Sequence, residues 1–259
     1  MNVSQKKSSR PESKRLFALL LLLASCLGCY VPAAAAEETL IAHWDFSSGK
    51  INSQDDKFIG TLRGTTKIIK GEDGKSCLSI GKEKSGQGIL MNKPYPELTP
   101  TGDFRLEASF RMNQTPGSKA WCVLWDSKYI FYIRKTPQPA DNHGFSLYLS
   151  PLGNEKYKPI VWIGCGDKGS EMFMGNTVSI PNGKICTISF IYKVAEGVEL
   201  LIDGKVNVKR ASKLKQPLSP AKFRTAIGDR YSGSFFPFQG DILDIKLYAL
   251  PAAAAQGSK

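Results

Sequence analysis

The chain has 259 residues, 42% of them hydrophobic, and 35 Lys and Arg against 23 Asp and Glu give it a net charge of +12. No apolar run reaches the roughly 20 residues of a spanning helix, which excludes a helical integral membrane protein. The basic residues are scattered rather than gathered into a patch, and no nucleic-acid-binding motif occurs, which excludes a nucleic-acid partner.

The first 36 residues read as a secretory leader. Lys6, Lys7, Arg10, Lys14 and Arg15 precede an apolar run from Leu16 to about Leu27, and small residues follow at Ala33 to Ala36. Two processing routes stay open. Ala34-Ala35-Ala36 fits cleavage before Glu37, and Leu23-Ala24-Ser25-Cys26 resembles a bacterial lipobox that would anchor the chain to a membrane through a lipid on Cys26. Either route places the protein outside the cytoplasm, secreted or in the cell envelope. The leader accounts for +4 of the charge and leaves about +8 on the remainder, which favours anionic partners.

From Glu37 onward no helical period occurs. Short alternating segments recur between Gly, Pro, Asn and Asp. Strands are expected at Leu40–Phe46, Gln87–Met91 and Asp103–Met112. In the last, Phe104, Leu106, Ala108, Phe110 and Met112 alternate with Arg105, Glu107, Ser109 and Arg111, the pattern of a strand with one buried face. Further strands are expected at Ala120–Trp125, Tyr129–Arg134, Gly144–Leu149, Ile160–Gly164 and Ile185–Lys193. Val198, Leu200 and Ile202 mark another strand, and Asp203-Gly204 supplies a two-residue hairpin turn. Phe223–Ile227 and Gly240–Tyr248 complete the set. Pro137, Pro139, Pro151, Pro159 and Pro181 fall between these strands, as expected of a residue that cannot donate to a ladder. The alternation predicts burial of Trp44, Phe46, Phe104, Leu106, Phe110, Leu200, Ile202, Ile245 and Leu247. A dozen or so short strands predict one all-β sandwich over residues 37–250, with 251–259 as a frayed tail.

Several segments carry a family resemblance. Trp44-Asp-Phe46, the loop Asn52 to Leu62 ending in Gly-Thr-Leu, the strand from Gly102 to Phe110, the hairpin Ile202-Asp203-Gly204 and the run from Ala226 to Tyr248 resemble, in order and spacing, a laminin-G-like, concanavalin A-like jelly roll. The resemblance implies a jelly-roll β-sandwich of two antiparallel sheets, and extracellular binding of glycans or proteins. It also implies a structural Ca²⁺ near the chain ends. Asp241, Asp244, Asn52, Asp55 and Asp56 are its candidate ligands, although Ser47 and Leu243 stand where some relatives carry acids.

Catalytic motifs are missing. Glycanases of this fold set their carboxylates at a spacing of two along one strand, and no E-x-D occurs. Asp241 and Asp244 are three apart, which in a regular strand puts them on opposite faces. His43 and His143 are the only histidines, and both read as surface residues. Cys77, Cys122, Cys165 and Cys186 form an even set in an exported chain, which predicts at least one disulfide with three connectivities open.

Aromatic residues crowd the middle third, and sugar rings stack on such faces. Trp125, Tyr132, Arg134 and Trp162 are the candidate ligand-binding residues, with Arg134 offering a planar fork to a carboxylate or sulfate. The sequence therefore points to an exported, non-catalytic module that binds carbohydrate or a cell-surface partner. A polysaccharide-degrading hydrolase or lyase on the same fold is the first alternative, and a structural envelope or adhesion protein the second.

Overall fold

The computed structural model describes residues 37–71, 74–81, 86–114, 120–128, 142–231 and 237–251. All of them belong to a compact unit spanning Glu37–Lys259, and the leader lies outside the described residues.

Two antiparallel sheets make up that unit. The first contains β1 (Thr39–Asp45), β3 (Lys67–Lys70), β4 (Ser76–Ile80), β6 (Phe104–Met112), β12 (Ile185–Lys193), β13 (Gly197–Ile202), β14 (Lys205–Ala211) and β16 (Gly240–Ala249). Its order is β14-β13-β12-β6-β16-β4-β3, with β1 also on β16. The second contains β2 (Gly60–Leu62), β5 (Ile89–Met91), β7 (Cys122–Asp126), β8 (Phe145–Gly153), β9 (Lys156–Gly164), β10 (Ser170–Met174), β11 (Val178–Ser179) and β15 (Ala226–Ile227). Its order is β10-β9-β8-β7-β15-β5-β2, with β11 also on β9. The fold is thus the all-β sandwich of two antiparallel sheets that the alternation predicts.

The inner faces of the two sheets meet in one continuous core. All nine residues expected to be buried are buried. Phe104 packs against Phe145, Phe190 and Tyr192, with ring centroids 5.0, 5.4 and 5.9 Å away. Phe145 and Phe104 come from opposite sheets, so the aromatic cluster joins the two layers. The Asp203-Gly204 turn forms as expected. Both residues adopt positive φ, 48° and 72°, which is the backbone a tight two-residue hairpin demands.

Four expectations need correction. Pro151 and Pro159 lie inside β8 and β9 rather than in loops. Pro151 adjoins a register shift, and Pro159 sits between the stretches of β9 that pair with β10 and with β11, so neither interrupts a ladder. Asp241 and Asp244 share one face, because a bulge between Ile242 and Asp244 shifts the register by one residue; Asp241 faces Arg111 and Asp244 faces Ser109 across β6. No disulfide joins Cys77, Cys122, Cys165 and Cys186 among the described residues; all four are buried, on β4, on β7, just after β9 and on β12. Finally, β2, β3, β4, β10, β11 and β14 had no clear sequence signal, being short or dominated by polar residues. The expected strand Tyr129–Arg134, with Tyr132 and Arg134, lies outside the described residues.

Candidate functional site: the outer face of the second sheet

The outer face of the second sheet is built by strand pairing. Trp162 on β9 lies between Met172 on β10 and Ser146 on β8, and Ser146 is opposite Asp126 on β7. In the next row, Ile160 lies between Met174 and Tyr148, and Tyr148 is opposite Val123. Val123, Tyr148 and Ile160 form a small apolar cluster separate from the core, with Trp121 and Trp162 packed against it. Trp121 stacks on Tyr148 at 5.1 Å and an interplanar angle of 15°. Trp121 and Trp162 are partly exposed, and Met172 and Met174 at the margin are 43% and 49% exposed. This face therefore offers indole rings with apolar and hydroxyl neighbours, the surface chemistry that sugar rings stack upon.

Charged groups close one end of it. Asp126 Oδ1 accepts the Lys128 N–H at 3.1 Å, and Oδ2 accepts the Tyr231 N–H at 3.4 Å. The Lys128 ammonium lies 5.8 Å from the Trp162 ring centre. Asp229 accepts the N–H groups of Gln87 and Arg230 at 2.8 and 2.7 Å. Arg63 donates to the carbonyls of Tyr231 and Arg230 and reaches Asp229 at 3.9 Å. Arg224 lies 5.5 Å from the Tyr231 ring.

Electrostatics at this end follow from burial. Desolvation pushes the Asp126 carboxyl up to about 6, against the pull of Arg230, two backbone N–H groups and Lys128. Burial also raises Asp229, despite its two N–H donors and the nearby Arg63 and Arg230. Burial lowers the Arg63 guanidinium, which Asp229 pulls back up and Arg224 pushes further down. Arg63, Arg224, Arg230 and Lys128 thus lie around Asp126 and Asp229, with Lys128 and Arg230 buried and Arg224 partly exposed.

Of the expected binding residues, Trp162 stands on this face. Trp125 does not: it is fully buried in the core, its ring 5.7 Å from both Trp44 and Phe145. A register shift between Val123 and Trp125 turns it inward, and simple alternation could not have revealed that. Asp126, Lys128, Asp229 and Arg230 escaped the sequence reading. Their signal is a cluster of charges inside otherwise apolar or Gly-rich strand ends.

The five candidate calcium ligands do not converge on one point, although the Asn52 amide donates to Asp56 Oδ1 at 3.5 Å and Asp241 and Asp244 share one face of β16. Asp55 accepts from the Ser53 hydroxyl at 2.6 Å and the Lys57 N–H at 3.2 Å, and Asp56 faces Lys50 at 3.4 Å. Asn52 accepts the Gly60 N–H at 3.3 Å. Asp244 is held by His43 at 2.9 Å and lies 3.4 Å from Lys246, while Asp241 faces Arg111 across the ladder. Among the described residues no three His, Cys, Asp or Glu side chains converge as a metal site. Carboxylates engaged by cations and N–H groups do not fit the open oxygen cage that calcium requires.

No protein-family model matches the sequence, and no curated protein matches it. Solved structures do. Domain 4 of AbnA, an extracellular GH43 arabinanase of Geobacillus stearothermophilus seen in complex with arabinotriose, is similar with a TM-score of 0.55 at 17% identity, over 84% of this chain and 96% of that one. The binding domain of botulinum neurotoxin serotype C1 is similar with a TM-score of 0.56 at 10% identity, over 83% of this chain and 50% of that one. At such identities the likeness establishes the β-sandwich fold.

Proposed function

We propose that this chain is an exported carbohydrate-binding module of the cell envelope, and that the outer face of the second sheet holds the glycan. The observation that carries the reading is the joint placement of Trp121, Tyr148 and Trp162 on one face, with Lys128 beside Trp162 and Arg224 beside Tyr231 at its charged end. Partly exposed indoles take the apolar face of a sugar ring, and the partly exposed guanidinium of Arg224 favours a glycan carrying carboxylate or sulfate. The leader supports export, with plain cleavage or a lipid on Cys26 as its two routes. The fold is also that of the arabinanase domain seen with arabinotriose, and of a structure of botulinum neurotoxin type C, whose cell entry depends on interaction with two ganglioside molecules.

A second reading rests on Asp126. A carboxyl near pKa 6 beside aromatic rings suits a general acid, so a glycan-cleaving activity is the alternative. Titration calorimetry with arabino-oligosaccharides, polyuronates and sialyllactose, run beside a reducing-sugar assay, separates the two. Binding without cleavage, weakened at least tenfold (about 1.4 kcal/mol) by Trp162→Ala and reduced by added salt, is the expected result. Cleavage abolished by Asp126→Asn would establish the alternative instead. Binding that is indifferent to Trp162→Ala and Trp121→Ala would remove this face as the site.

A further inference from the structure

The edges of the two sheets at β3, β14, β2 and β10 are not protected alike. β3 carries Lys67 and Lys70, β14 carries Lys205, Lys209 and Arg210, and β2 is only three residues long. Charge and shortness are the usual devices that stop an edge from recruiting another strand. β10, Ser-Glu-Met-Phe-Met, has neither Lys nor Pro. Its ladder with β9 fixes which groups face outward. Gly175 N–H donates to the Pro159 carbonyl and Cys165 N–H to the Gly169 carbonyl, both at 2.8 Å. Odd-numbered positions therefore bond toward β9, and Ser170, Met172 and Met174 turn their N–H and C=O groups to the open side.

The same side is already shaped. Glu171 accepts from the Ser212 hydroxyl at 2.9 Å and the Lys213 N–H at 3.0 Å, and Asn176 exchanges hydrogen bonds with Asn207 at 2.6 to 3.3 Å. These contacts fix β10 against the edge of the first sheet at both ends. Between them runs a cleft of about 570 Å³, lined by the whole of β10 and by Arg210, Ala211 and Lys213.

We propose that this cleft takes an extended, acidic segment of a partner protein, which adds as a strand to β10. The outward backbone groups supply the ladder, Met172 and Met174 supply adaptable apolar contact, and Arg210 and Lys213 select acidic side chains. Charge disfavours the other occupants. A second copy would set the same cations against each other, the leader has five basic residues to one acid, and the last eight residues contain Lys259 and no acid.

Fluorescence anisotropy tests it with a labelled ten-residue peptide of alternating Glu and Val. This peptide should bind at least tenfold more tightly than its Lys-Val counterpart. N-methylation of alternate peptide amides on the pairing side should abolish binding without changing the charge. Arg210→Glu with Lys213→Glu should reverse the preference, with an unchanged melting temperature confirming the fold. Binding that survives N-methylation, equal uptake of the Lys-Val peptide, or no binding at millimolar peptide would overturn the proposal. So would sedimentation showing a dimer that Met172→Pro dissolves, which would assign the edge to a second copy.

Discussion

At the residue scale, Asp126 links the site to stability. Its carboxyl titrates higher in the folded chain, at about 6, than the 3.8 of an unperturbed Asp. A raised carboxyl favours the folded state while protonated. That contribution is complete below about pH 4 and is lost as the pH rises through 6, amounting to about 3 kcal/mol in all. Relative to Asp126→Asn, the wild type should therefore lose stability between pH 4 and 7 in urea melts. A difference that stays constant with pH would mean that the carboxyl is not desolvated. The thiols give a second prediction. Burial pushes Cys122 and Cys186 up to about 12 and raises Cys165, and all four thiols are buried. A thiol-specific reagent should label none in the native protein and all four in urea, and a reductant should leave the melting temperature unchanged. Parity of cysteine number in an exported chain suggested a bridge, but parity carries no geometry. Cys77, Cys122 and Cys186 lie on three different strands, and Cys165 follows β9.

At the scale of the element, the clearest regular strand was also the most legible. In β6 the alternation of Phe104, Leu106, Ala108 and Phe110 with charged residues is uninterrupted, and the burial follows it. Phe110→Ala should destabilise by roughly 3 to 5 kcal/mol, measured by denaturant unfolding, because Phe238 packs on its ring at 5.4 Å and little can collapse into the gap. Alternation fails wherever the backbone inserts a residue. The shift in β7 buries Trp125 in the core and places Asp126 opposite Ser146, and the shift in β16 puts Asp241 and Asp244 on one face. A bulge depends on the partner strand, so the residues of one strand do not reveal it. Beside the charged end of the site, Gly88 adopts φ +76°, and a Cβ there would lie 2.0 Å from the Ile227 carbonyl oxygen. Gly88→Ala should therefore disturb the β5–β15 pairing and lower the melting temperature by more than 5 °C.

On the scale of the whole molecule, the sandwich was legible because periodicity two recurs along the chain, while the choice of binding face was not. That choice depends on which strands become neighbours: Met172, Trp162, Ser146 and Asp126 are far apart in sequence and adjacent in one row. The core runs through both sheets without a break, so residues 37–251 expressed alone should unfold in a single transition, with calorimetric and van't Hoff enthalpies equal. The pairing of β1 with β16 sets the order of events during synthesis. Thr39 meets Ala249, and β16 also lies between β6 and β4, so the first sheet cannot close until residues 240–249 have emerged. Until β16 is present, β1 has no partner strand and β4 has only β3, so a chain truncated before residue 240 should leave the first sheet open between β6 and β4.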